Sequence, residues 1–138
     1  FFFMDDGVEM AAERLGRCRD ASEVWEVIKT DVRIFGADCV QLSMVEGTSA
    51  GETRTTHYTS GFEGGPAGEP LRARFHVLGE RTDAGALELG WRDGRTQIDR
   101  DVEIAVEVLC DHLAAALQRI QARQPASSSG AKVLKIRP

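Results

Sequence analysis

Between positions 8 and 35 the apolar residues recur every three or four places. Val8, Ala11, Ala12, Leu15 and Cys18 mark one amphipathic helix, with Asp5 or Asp6 available as its N-cap and Gly16 weakening its end. Asp20 or Ser22 can cap a second segment, in which Val24, Val27, Ile28, Val32 and Phe35 form one stripe. Gly36 then stands where a helix C-terminus favours glycine.

After Gly36 the period falls to two. Cys39–Val45 alternates, which predicts a strand with Val40, Leu42 and Met44 on one face. Gly47 to Gly51 reads as a hairpin turn, and the threonine-rich run Thr53–Ser60 as its partner strand. Glycine and proline dominate Gly61–Pro70 and exclude regular structure there. A third strand follows, with Leu71, Ala73, Phe75 and Val77 on one face and Arg72, Arg74 and His76 on the other. Gly79 to Gly85 predicts a turn, and Ala86–Trp91 a fourth strand with Leu87, Leu89 and Trp91 inward.

Asp93-Gly94 marks the exit from the last strand, and Asp99 can cap a long helix that Pro125 ends after about Arg123. Within it Val102, Val106, Leu109, Leu113, Ala116 and Ile120 recur in steps of 4, 3, 4, 3 and 4, the spacing of a coiled-coil seam. Ala105, Val108 and Leu117 widen that stripe, so the helix can serve its own sheet, a partner helix, or both. Helix, helix, four strands, helix, with short turns between strands, predicts an α+β fold. Its antiparallel sheet has about four or more strands, with the N-terminal helices and the long C-terminal helix packed on one face.

Composition adds little to the fold and more to function. The chain has 138 residues, enough for one domain with a real core. It divides into a connection from a longer parent (1–6), the folded domain (7–124) and a flexible basic tail (125–138). No apolar run approaches the ~20 residues of a membrane span, so a soluble, cytoplasmic module is expected. Net charge is −5, yet positions 119–138 hold Arg119, Arg123, Lys132, Lys135 and Arg137 and no acid, which leaves −10 on the remainder. An acidic body disfavours nucleic acid as a partner. The basic tail suits anionic lipid or an acidic protein surface, if it is not simply solvated.

With these elements placed, the chain resembles a GAF domain over about residues 8–123. The resemblance lies in the strand Ala37–Met44 after a helix ending at Gly36. It lies further in Gly85-Ala86-Leu87-Glu88-Leu89-Gly90-Trp91 followed by the helix from Asp99 to Ile120, with Leu109, His112, Leu113, Ala116 and Leu117. It implies a regulatory or sensor module. GAF domains that bind cyclic nucleotides, bilins or other small molecules cover one sheet face with extra helices and long loops. Here only the ten residues Gly61–Pro70 occupy that place. The expected outer face of Gln41, Ser43, Arg72, Arg74, His76 and Glu88 is polar, as a solvent-facing sheet requires. The cyclic-nucleotide motif is absent, and no middle-loop cysteine is present to attach a bilin. The run Asp31–Met44 with Leu89–Asp99 is also similar to the cytosolic extension of bacterial membrane sugar-phosphate transferases of the polyprenyl-phosphate type. That likeness implies an attached, membrane-anchored catalytic unit outside this chain.

Candidate chemistry is sparse. Ser43, Tyr58, Arg72, Arg74 and His76 are the candidate ligand-binding residues for a phosphate or carboxylate, through charge-assisted hydrogen bonds. The competing reading of the arginines is an exposed face paired with Glu88. His57, His76 and His112 lack the close spacing of a local metal-ligand pair, so no metal and no cofactor are expected. Cys18, Cys39 and Cys110 are widely spaced and read as buried, reduced thiols, which argues against the cysteine chemistry of GAF-fold methionine sulfoxide reductases. The chain is therefore expected to be non-catalytic. Val102, Val106, Leu109, Leu113, Ala116 and Ile120 are the candidate homodimer interface, and an attached catalytic domain is the expected recipient of the signal. The alternative is a small-molecule sensor for an anionic metabolite or nucleotide.

Overall fold

The structure, a computed structural model, describes residues 2–47, 53–61, 71–78 and 83–129. The turn expected at Gly47–Gly51, most of Gly61–Pro70, the start of the turn at Gly79 and tail positions 130–138 lie outside the described residues.

Among the described residues, three helices and four strands run in the order α1 (Phe2–Leu15), α2 (Ala21–Asp31), β1 (Cys39–Gly47), β2 (Thr53–Ser60), β3 (Leu71–Leu78), β4 (Asp83–Trp91) and α3 (Arg100–Ser129). A 3₁₀ turn, Val32–Phe35, extends α2 and ends at Gly36, whose φ of 76° is the left-handed conformation that glycine adopts without strain. The sheet is antiparallel throughout, in the order β2-β1-β4-β3. The α+β fold with an antiparallel sheet, two N-terminal helices and a long C-terminal helix is as the sequence predicts.

Asp20 is the N-cap of α2, its carboxylate accepting from the Glu23 N–H at 2.9 Å. Glu23 reaches back to accept from the Arg19 N–H at 2.7 Å, which holds its carboxyl below the usual value. Other ends depart from expectation. The first helix starts at Phe2, so Asp5 and Asp6 lie inside it rather than capping it. No proline or glycine interrupts positions 2–6, and nothing local stops the helix there. The last helix passes through Pro125 to Ser129. A proline there removes one N–H and crowds one carbonyl, a cost of about 3 kcal/mol that disfavours the helix without forbidding it. β4 begins at Asp83, so Gly85 belongs to the strand and not to a turn.

Gly85 is required by its neighbours. Its φ is 149°, and a Cβ built on it would lie 1.9 Å from the Ser43 carbonyl oxygen. A register shift at Val77/Leu78 marks the same place on β3. Only a residue without a side chain lets β1 and β4 approach here.

The core lies between the sheet and the helices. Leu42, Leu87, Leu89 and Trp91 from the sheet meet Leu15, Ile28, Val106, Leu109 and Leu113, all essentially inaccessible to solvent. α1 packs along α3, and α3 lies over β3 and β4. Trp91 donates from Nε1 to the Phe35 carbonyl at 3.0 Å, which satisfies its one polar atom in the core.

Candidate functional site

Strand register decides which predicted residues share a surface. Leu42 pairs with Tyr58 and with Leu87, so Tyr58 faces the helices. Its ring stacks on Trp25, with centroids 5.4 Å apart and planes 27° from parallel. Tyr58 therefore does not join Ser43, Arg72, Arg74 and His76, which occupy the opposite face. The sequence could not separate them. β2 is threonine on both sides, and one tyrosine does not say which side is buried.

The outer face is built in cross-strand rows. His57, Ser43, Ala86 and His76 form one row, and Thr59, Gln41, Glu88 and Arg74 the next. Ser43 is buried, and its hydroxyl shares a 2.9 Å hydrogen bond with His57 Nδ1, whose direction follows the His57 tautomer. Glu88 accepts from Arg72 at 3.4 Å and Arg74 at 3.5 Å. Both guanidinium groups are about half exposed, so these contacts are weak and screened. β4 contributes Ala86 and Gly90 to this face, small residues beside the longer side chains of β1 and β3, whereas Ala84 packs into the core.

Ser43 and His57 have the spacing of a nucleophile and its base, but the surroundings do not suit acyl transfer. β1 is a central strand with ladder bonds to β2 and β4, so its backbone N–H groups are committed and cannot form an oxyanion hole. His57 and His76 stand three strand spacings apart, roughly 14 Å, too far to share a metal. Exposed His112 belongs to α3, and no cluster suited to a metal occurs among the described residues.

The three cysteines are buried and free. Burial raises all three thiol pKa values, that of Cys110 to about 12. At Cys39 the nearby Arg92 charge acts the other way without overcoming burial, and the thiol donates to the Gly61 carbonyl at 3.2 Å. Neutral thiols on separate elements do not support thiolate chemistry.

Among the described residues, two depressions lie away from the outer sheet face. A cleft of about 310 Å³ opens where α2 meets the start of β1, lined by Lys29, Thr30, Arg33, Asp38, Cys39 and Ser60. At its rim the Asp38 carboxylate accepts from the Arg92 N–H at 2.7 Å. An open hollow of about 470 Å³ follows β4 at Asp93–Asp99. There hydrogen bonds from the Arg95 side chain hold the Asp93 carboxyl below its usual value, and Arg95 lies over the Trp91 ring, 5.4 Å from its centroid.

Five of the six residues of the predicted helical seam sit inside the molecule, and Val102 is half-buried at its start. Val106, Leu109, Leu113, Ala116 and Ile120 are at most 3% exposed, and Val102 packs against the same core. The seven-residue repeat is the seam between α3 and the chain's own sheet and first helix. A partner helix has to use another face. Of the flanking positions, Ala105 and Leu117 are buried, whereas Val108 is 40% exposed beside Ile104 at 44%.

Sequence reasoning missed the polar ties at the far end of α3. Arg119 donates to the carbonyls of Leu15 (3.1 Å) and Cys18 (2.7 Å), and Gln121 donates to the Val45 carbonyl (2.9 Å). Their acceptors are backbone atoms about a hundred and 76 residues away, which no local pattern encodes. Among the described residues no helix is long and apolar enough to cross a membrane. No protein-family model matches the chain, and no curated protein matches it.

Proposed function

We propose that the chain is a non-catalytic regulatory and interaction module of the GAF type. It dimerises through its terminal helices and passes its state to an attached catalytic unit, a membrane polyprenyl-phosphate sugar-phosphate transferase on the sequence resemblance. The observation that carries this reading is the position of the ties on α3. Thirty residues of helix span about 45 Å, against about 30 Å for nine-residue β1. Near the end of its buried stretch, α3 is bonded through Arg119 to the α1–α2 connection and through Gln121 to β1. A shift in either layer thus changes the seating of the same helical turn. Light scattering at tens of micromolar tests the assembly: a dimeric mass is expected, and a monomeric mass sinks it.

The second reading, a small-molecule sensor, is favoured by the outer sheet face, where Ser43, His57, Arg72, Arg74 and His76 offer hydrogen bonds to an anion. Thermal-shift screening with nucleotides, sugar nucleotides and amino acids separates the two. A ligand at a hundred times its Kd stabilises the fold by about 2.7 kcal/mol. No shift with any class leaves the interaction module.

A further inference from the structure

The first half of α3 carries an unpaired surface of defined chemistry. Ile104 and Val108 are the two most exposed large apolar residues of that helix, at 44% and 40%. Asp101, Glu107 and Asp111 surround them, all exposed, and none has an ion-pair partner among the described residues. The sequence holds one short segment of matching character, Lys132-Val133-Leu134-Lys135-Ile136-Arg137, with three cations and three apolar residues. We infer that the acidic, apolar strip from Asp101 to Asp111 is a docking surface for Lys132–Arg137 of a second copy of this chain, in an antiparallel pairing of the two α3 helices. This rests on the dimeric reading above and specifies its geometry.

Reach decides between the same copy and a second one. Ser129 ends α3, 25 residues beyond Ile104, a distance of about 38 Å along the helix. Arg137 lies eight residues past Ser129 and extends at most about 28 Å from it. In its own chain the segment therefore reaches at most the Asp111 end of the strip and falls short of Ile104 and Asp101. In an antiparallel pair the distance closes. Ala115 and Ala122 are exposed on α3, and their small side chains permit close approach of two helices. Setting Ala122 of each copy opposite the other brings the partner's Ser129 opposite Ala115. Extended at about 3.3 Å per residue against 1.5 Å for the helix, the partner's Lys132 then lies near Val108, between Glu107 and Asp111, and the partner's Lys135 near Asp101.

The test is the dimer dissociation constant of the 138-residue chain by sedimentation equilibrium, at low and high salt. Glu107→Lys with Asp111→Lys, and separately Lys132→Glu with Lys135→Glu, are each expected to weaken the dimer about tenfold or more at low salt. Combining all four substitutions turns the strip to +1 and the tail to −1 and is expected to recover part of the lost affinity. An Ile104→Cys, Val133→Cys chain is expected to form a disulfide-linked dimer on mild oxidation. A dimer unchanged by removal of residues 130–138, a failure of the combined reversal to rescue, or a cross-link only within one chain each overturns the inference and leaves the dimer standing. A monomer at every concentration overturns both.

Discussion

On the face of the sheet toward the helices, Leu42, Met44, Val77, Leu87, Leu89 and Trp91 are at most 1% exposed. On the other face, one residue along each strand, stand His57, Arg72, Arg74, His76 and Glu88, the arginines held to Glu88 by long and partly solvated contacts. The first face is a dry interior in which each methylene counts, at about 0.8 kcal/mol when buried. The second is a polar surface whose residues can change at small cost to folding. Substitutions there can therefore change the chemistry of the surface without loss of the architecture.

The contrast is sharpest where the two faces share a backbone. Gly85→Ala forces a Cβ onto the Ser43 carbonyl and an unfavourable φ, and no side chain can rotate away. It is expected to cost at least ~4 kcal/mol, read by urea denaturation or as loss of soluble protein. A variant of wild-type stability would mean that β1 and β4 are not so closely apposed.

Leu89→Ala, on the helix side, is expected to lose about 3 kcal/mol through lost burial and a cavity. Leu89 and Glu88 are sequence neighbours on opposite faces, so the pair measures the asymmetry directly. A smaller loss at Leu89 than at Glu88 would invert the assignment of faces.

Cys110 gives the interior a pH signature. Its pKa is about 12 in the folded chain against 9.0 for an open thiol. Below pH 9 both states keep the proton and stability is unaffected. Between pH 9 and about 12 the unfolded state releases a proton that the folded state retains, so stability falls as pH rises. Cys110→Ala is expected to flatten this alkaline slope in thermal melts taken across that range. An unchanged slope would place the thiol in contact with water.

The smallest effect belongs to the outer face. Glu88→Gln keeps the side chain's shape and removes the charge facing Arg72 and Arg74. It is expected to change stability by less than ~1 kcal/mol. Its value lies in binding, because it removes the carboxylate charge that competes with an anion for Arg72 and Arg74. Thermal shifts with phosphate or carboxylate ligands should then increase relative to the parent, and no increase would remove these arginines from the sensor reading.

Much of this architecture is legible in the sequence because periodicity reports burial. The alternation of Leu71, Ala73, Phe75 and Val77 with Arg72, Arg74 and His76 fixes both faces of β3, and the Asp20 cap and Gly36 fix the ends around α2. The candidate site is legible only in part. Ser43, Arg72, Arg74 and His76 do share a face, since three of them lie on one alternating strand. Tyr58 does not, because β2 has no apolar side to set its phase.

The sequence by itself determined which segments become helix and strand and which side of β1, β3 and β4 is buried, since these depend on spacing along the chain. Tertiary structure decided what the seven-residue repeat of α3 is for. A stripe of Val106, Leu109, Leu113, Ala116 and Ile120 is equally fit to meet a sheet or a second helix, and only the presence of the chain's own apolar sheet face claims it. It likewise left Ile104 and Val108 outside, among carboxylates, and tied Arg119 and Gln121 to distant carbonyls. Contacts between residues far apart in the chain have no period to betray them.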